Sequence, residues 1–122
     1  MAKRVLIADD EPNIVTSLEF LMEQAGYETQ VASNGQEALD LATSFRPDLV
    51  LLDVMVPIRS GYEVCQRLKS DPVTRGIKIV MVSAKGRDVE VAKALELGAD
   101  AYITKPFSTR ELVAKVREML GA

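Results

Sequence analysis

Apolar residues along this chain follow two rhythms. Unbroken runs of four, Val5-Leu6-Ile7-Ala8, Leu49-Val50-Leu51-Leu52 and Ile79-Val80-Met81-Val82, predict strands buried on both faces, and Glu28 to Ala32 and Ala101-Tyr102-Ile103-Thr104 predict two more. Between them the apolar positions recur at helical spacing. Ile14, Leu18, Leu21, Met22 and Ala25 form one stripe, followed by Gly26 where a left-handed cap falls. Asn34-Gly35-Gln36-Glu37 offers an N-cap with a glutamate three residues on, ahead of Ala38, Leu39, Ala42 and Phe45, and Pro47 stops that helix. Ser60-Gly61-Tyr62-Glu63 repeats the signal before Val64 and Leu68, with Asp71-Pro72 as the close. A fourth helix runs from about Arg87 to Leu97 and ends at Gly98, and Ser108-Thr109-Arg110-Glu111 opens a fifth, with Leu112, Val116, Met119 and Leu120 before Gly121. The fourth differs from the rest. Its Val89, Val91, Ala92, Ala94, Leu95 and Leu97 fall all round the helical wheel, so a single buried face cannot hide them.

Strict alternation of strand and helix implies an α/β fold, a parallel sheet covered on both faces through right-handed crossovers. Ligands in such sheets bind outside the carboxyl ends of the strands. At those ends stand Asp9 and Asp10, Asp53, Ser83 and Lys105. Neighbouring parallel strands lie about 4.8 Å apart, close enough for these acids to enter one ion's coordination sphere. Three carboxylates at ~5 Å repel by about 3 kcal/mol per pair at an effective dielectric near 20. A cation or a shared proton relieves this, and the small all-oxygen set favours Mg²⁺ or Mn²⁺ over Ca²⁺. Each residue has a plainer reading by itself: Asp9 or Asp10 as a helix cap near Pro12, Asp53 as a polar strand terminus, Lys105 as a solvated charge, Ser83 as a serine after a strand. Together they suit a metal-dependent site in which a carboxylate attacks phosphorus.

Composition narrows the choice. With 122 residues, 48% hydrophobic and 27% charged, the chain fits one self-sufficient domain over residues 1–122, without disulfides or structural zinc. Cys65, between Val64 and Leu68, reads as a packed thiol. A formal charge of -3 without blocks of like charge argues against direct nucleic-acid binding. The chain has no histidine, so Ser-His-Asp and Cys-His catalysis are excluded, and any imidazole must come from a partner. No run approaches the ~20 apolar residues of a membrane span, and Met1-Ala2-Lys3-Arg4 leads directly into a strand, so a cytoplasmic protein is expected.

Four segments carry a family resemblance: Ala8-Asp9-Asp10-Glu11, Leu52-Asp53-Val54-Met55-Val56-Pro57, Val82-Ser83-Ala84-Lys85, and Gly98-Ala99-Asp100-Ala101-Tyr102-Ile103-Thr104-Lys105-Pro106-Phe107. In this order and spacing the chain resembles a response-regulator receiver domain of two-component signalling. The resemblance covers the whole chain and implies a flavodoxin-like, doubly wound (βα)5 fold with a five-stranded parallel sheet of order 2-1-3-4-5. It implies that Asp53 is the phosphoacceptor, that Asp10, Asp53 and the Met55 carbonyl bind Mg²⁺, and that Asp9 acts through metal-bound water. Lys105 would pair with the phosphoryl group, whose donor would be the phosphohistidine of a partner kinase or phosphotransfer protein.

The resemblance also implies a switch. Ser83 would donate a hydrogen bond to the phosphoryl group and Tyr102 would turn inward into the space it leaves, altering the face of the fourth helix, last strand and last helix that meets a protein effector. Two departures lie beside Asp53: Ile58 stands where many relatives have glycine, and Ser60 where an aspartate is frequent. Dimerising relatives carry a basic residue at the position of Val91 and an aspartate at that of Ala101, so Glu111 and Lys115 lack those partners and a monomer or weak dimer is expected. Lys105-Pro106 resembles a site that is often cis. Two other readings stand beside this one. An aspartyl-phosphate phosphatase would need a second acid where Met55 stands, so slow autodephosphorylation rather than turnover is expected. A flavin- or nucleotide-binding module would need a Gly-, Ser- and Thr-rich loop where Asp9-Asp10-Glu11 stands.

Overall fold

The computed structural model describes residues 2–84 and 86–121; Lys85 of the third resemblance segment lies outside the described residues. Five strands alternate with five helices: β1 Arg4–Ala8, α1 Pro12–Gln24, β2 Glu28–Ala32, α2 Gly35–Ser44, β3 Leu49–Leu52, α3 Gly61–Ser70, β4 Lys78–Ser83, α4 Asp88–Glu96, β5 Ala101–Thr104 and α5 Thr109–Leu120. All strand pairs are parallel and the sheet order is β2-β1-β3-β4-β5, as the resemblance implies.

Alternate side chains of each central strand enter different cores. Leu6, Val50, Leu52, Ile79 and Met81 pack with α2, α3 and α4, whereas Val5, Ile7, Leu49, Leu51, Val80 and Val82 pack with α1 and α5. A strand covered on both faces has no reason to alternate polar and apolar, hence the unbroken runs. β2, at the edge, shows the alternation instead.

Helix ends follow the cap residues. Asn34, Ser60 and Ser108 each accept a hydrogen bond from the backbone N–H of Glu37, Glu63 and Glu111. Gly26, Gly98 and Gly121 all take positive φ after a helix, where a β-carbon would be strained. α4 buries only Ala94 and leaves Val89 and Leu95 exposed, so the wheel's lack of a single stripe corresponds to a weakly packed helix. Cys65 is fully buried and its thiol is pushed up to about 11 by that burial, as a structural cysteine requires. Lys105-Pro106 is cis. No helix among the described residues is long and apolar enough to cross a membrane.

Candidate phosphoryl-acceptor site

The register of the sheet assembles the site. Ala8 pairs with Leu52, so the next residue on each strand, Asp9 and Asp53, emerge side by side at the carboxyl edge. Ladder hydrogen bonds run one step past the strands, from Asp9 N–H to the Ala32 carbonyl and from Asp53 N–H to the Ala8 carbonyl, which fixes where both side chains begin. Ser83 pairs with Thr104, and Lys105 N–H donates to the Ser83 carbonyl. The strand-end residues picked out by their sequence positions therefore share one rim.

Asp9, Asp10 and Asp53 each present a carboxylate oxygen such that all three atoms lie within 4.8 Å of one another. Asp9 and Asp53 are buried, Asp10 is exposed. Lys105 Nζ donates to Asp9 Oδ2 at 2.8 Å and to Asp53 Oδ2 at 3.0 Å. The other oxygens are held locally: Glu11 N–H donates to Asp9 Oδ1 and Met55 N–H to Asp53 Oδ1, both at 3.0 Å. Burial alone would lower the Lys105 pKa, but the hydrogen bonds and negative charges of Asp9 and Asp53 outweigh it and hold the ammonium above its ordinary range. One ammonium faces three carboxylates, a local excess of two negative charges. Hard oxygen donors gathered this closely, with that excess, fit a small divalent cation such as Mg²⁺. The acidic cluster itself consists of Asp9, Asp10 and Asp53, and the Met55 backbone lies next to it through its N–H bond to Asp53 Oδ1.

Ser83 is fully buried, with its hydroxyl hydrogen-bonded to the Tyr102 phenol. Burial raises the Tyr102 pKa, the Ser83 bond opposes the rise, and the nearby negative charges of Glu90 and Asp53 add to it. The resemblance has Tyr102 turning inward only when Ser83 engages a phosphoryl oxygen; here the phenol is already half-buried against Ser83. A partly buried phenol needs a polar partner, and the serine is within reach. If Ser83 donates its proton to a phosphoryl oxygen, its bond to Tyr102 must be remade.

Further features surround this rim that strand ends and spacing do not indicate. The 54–61 loop is tied to α2 by a hydrogen bond from Arg59 Nε to Gln36 Oε1. Gly61 approaches the Asp53 backbone so closely that a β-carbon would lie 2.3 Å from the Asp53 carbonyl oxygen, and only the cap signal of Ser60 hinted at this position. Glu90 keeps just 12% of its side chain exposed, on the helix whose orientation the wheel left open. Beside it Lys93 Nζ sits 4.4 Å above the Tyr62 ring.

Comparison with known proteins places this geometry in context. Residues 5–117 match the model of the response regulator receiver domain. The chain is 45% identical over 120 residues to the alkaline phosphatase synthesis transcriptional regulatory protein PhoP of Bacillus subtilis, covering 98% of this chain and 49% of that protein. The chain thus spans about half the length of this curated relative. Among solved structures, a response regulator of Chloroflexus aurantiacus, described as putative, superimposes with a TM-score of 0.94 at 34% identity over the full length of both chains. The DrrB receiver domain, described as BeF3-activated, gives 0.91 at 30% identity, again over both full chains.

Proposed function

The chain belongs to the response regulator receiver family of two-component signalling, and from that membership we propose that it accepts a phosphoryl group on Asp53 from a histidine kinase or phosphotransfer protein. The observation that carries this reading is the position of Asp53: a buried carboxylate hydrogen-bonded to Lys105 and within 4.8 Å of two further acids.

In the step, an Asp53 carboxylate oxygen forms a bond to phosphorus as the N–P bond of the donor phosphohistidine breaks and its electron pair returns to the imidazole. The difficulty is electrostatic, since an anion attacks an anion. A bound Mg²⁺ would neutralise charge on the nonbridging oxygens. Lys105 supplies the fixed positive charge: its ammonium already spans Asp9 and Asp53 and can turn one proton from Asp53 Oδ2 to a phosphoryl oxygen. Met55 N–H holds Asp53 Oδ1, orienting the carboxylate. Ser83 donates to the phosphoryl group in place of Tyr102, and Tyr102 passes the change to α4 and β5. The BeF3 activation named for the DrrB relative supports this reading, fluoroberyllate being a tetrahedral stand-in for a phosphoryl group.

Residues 1–122 would act as one receiver domain, cytoplasmic and monomeric or weakly dimeric, handing its signal to a protein effector. The chain would be no enzyme in the turnover sense. The apolar Met55, 60% exposed beside Asp53, offers no acid or base to a hydrolytic water, so the phosphorylated form decays slowly.

Incubation with Mg²⁺ and acetyl phosphate, followed by intact-mass measurement, tests the proposal. One phosphoryl adduct is expected, absent in Asp53→Asn and after chelation of the metal, and persisting far beyond seconds. An adduct of equal yield in Asp53→Asn would move the acceptor elsewhere.

A further inference from the structure

The loop between Asp53 and α3 is held in a strained shape from outside. Ile58 has φ of +72°, and Arg59 N–H donates across it to the Pro57 carbonyl at 2.8 Å, a γ-turn of the rare positive-φ kind. A β-branched residue does not choose this conformation, and Ile58, 77% exposed, gains little packing in return. Something else must hold it.

The restraint comes from α2. Gly35 N–H donates to the same Pro57 carbonyl at 3.0 Å, and Gly35 lies so close that a β-carbon would stand 2.2 Å from the Arg59 carbonyl oxygen. Arg59 Nε donates to Gln36 Oε1 at 2.7 Å, and its Nη1 pairs with Glu63 Oε2, the same oxygen that Arg67 Nε approaches at 3.3 Å. The guanidinium thus joins the first turns of two helices across the loop. Gly61 N–H closes the segment on the Val54 carbonyl at 2.9 Å. Met55 lies between these closures, its N–H already on Asp53.

We propose that Arg59 is a positioning residue for the acceptor site: by tying the 54–61 loop to the start of α2 it keeps Ile58 at positive φ and the Met55 backbone in one place beside Asp53. The proposal rests on the reading that Asp53 and Met55 take part in holding a divalent cation. Without the guanidinium, Ile58 relaxes toward negative φ and the loop carries Met55 away. The backbones of Asp53 and Lys105 keep their places, because their N–H groups bond to the Ala8 and Ser83 carbonyls of the sheet and not to the loop.

Calorimetric titration of the full chain with Mg²⁺ alone, with acetyl-phosphate labelling at varied Mg²⁺ as a second readout, tests this. Arg59→Ala is expected to weaken Mg²⁺ affinity about tenfold, as supporting-shell changes do. Labelling should then need correspondingly more Mg²⁺ while its rate at saturating Mg²⁺ changes little. Arg59→Lys, which keeps a charge but not the planar fork, should fall between. The decisive variant combines Arg59→Ala with Ile58→Gly: glycine takes positive φ freely, so most of the affinity should return. Unchanged Mg²⁺ affinity in Arg59→Ala, even with a lowered urea midpoint, overturns the proposal. So does an equal loss in the single and double variants. If the unaltered chain neither binds Mg²⁺ nor accepts a phosphoryl group, the function proposed above fails first.

Discussion

Replacing Lys105 by Met will both abolish phosphoryl labelling and unfold the protein more easily in metal-free buffer. The ammonium is the cation bonded to two buried carboxylates, so its removal leaves Asp9 and Asp53 charged and facing each other. Breaking an enclosed ion pair costs about 3–5 kcal/mol; here Asp10 opens one side to water, so a loss of about 2 kcal/mol is expected at neutral pH. Urea unfolding with a chelator present measures it. Added Mg²⁺ should recover part of the stability by supplying the missing positive charge, but not the labelling, because the proton donor to the phosphoryl oxygen is gone. The pH dependence has a definite sign. The folded pKa of Lys105 is raised, so its contribution is complete below the unfolded value near 10.5 and disappears as pH rises through the folded value. The unaltered protein should lose this increment only in strong alkali, whereas the variant should show no such step. Equal stability of the two proteins in chelator would mean that the carboxylates share a proton and do not depend on the lysine.

Much of this site was legible in the linear sequence because one device builds it repeatedly: an apolar run buried between two helical layers ends, and the next polar residue emerges at the rim. That rule found Asp9, Asp53, Ser83 and Lys105 without reference to side-chain geometry. Caps were legible for a related reason, since a side chain bonding its own backbone three residues away needs nothing distant. Where a second partner competes, the local rule gives out. Glu37 takes the Ser33 N–H, and Glu63 turns to Arg59 and Arg67. The strand order came only from the family resemblance, because parallel strands joined by helices can be arranged in several orders that bury the same residues. The Arg59 clamp was illegible because it joins residues 23 apart through a loop whose shape depends on the clamp itself. Tyr102 was placed correctly on its strand, but its rotamer depends on which acceptor or donor the site offers, which no local pattern encodes.

Substituting Asp10 by Asn will make the metal-free protein more stable and the protein blind to Mg²⁺. Three carboxylate oxygens within 4.8 Å repel by about 3 kcal/mol per pair at an effective dielectric near 20, and Lys105 bonds Asp9 and Asp53 rather than Asp10. Asp10 is exposed, so water screens most of this, leaving a gain of about 1 kcal/mol, or roughly 3 °C in Tm for a chain of this size. The amide keeps the shape and can still offer an oxygen, but it removes the charge that draws a divalent ion in. Binding stabilises a folded state by RT ln(1 + [L]/Kd), about 1.4 kcal/mol at tenfold excess over Kd. Thermal unfolding against Mg²⁺ concentration should therefore give two lines that cross: the Asp10→Asn protein flat and higher at the start, the unaltered protein rising to meet and pass it. Crossing is the signature of a charge cluster maintained for its ligand at the expense of the empty fold. Parallel rising lines would show that Asp10 is no metal ligand, and a lower starting Tm in Asp10→Asn would show that the cluster is not under electrostatic strain. Either result would leave Asp53 beside Lys105 as an ordinary buried ion pair and remove the reason the family geometry gives for placing a third acid there.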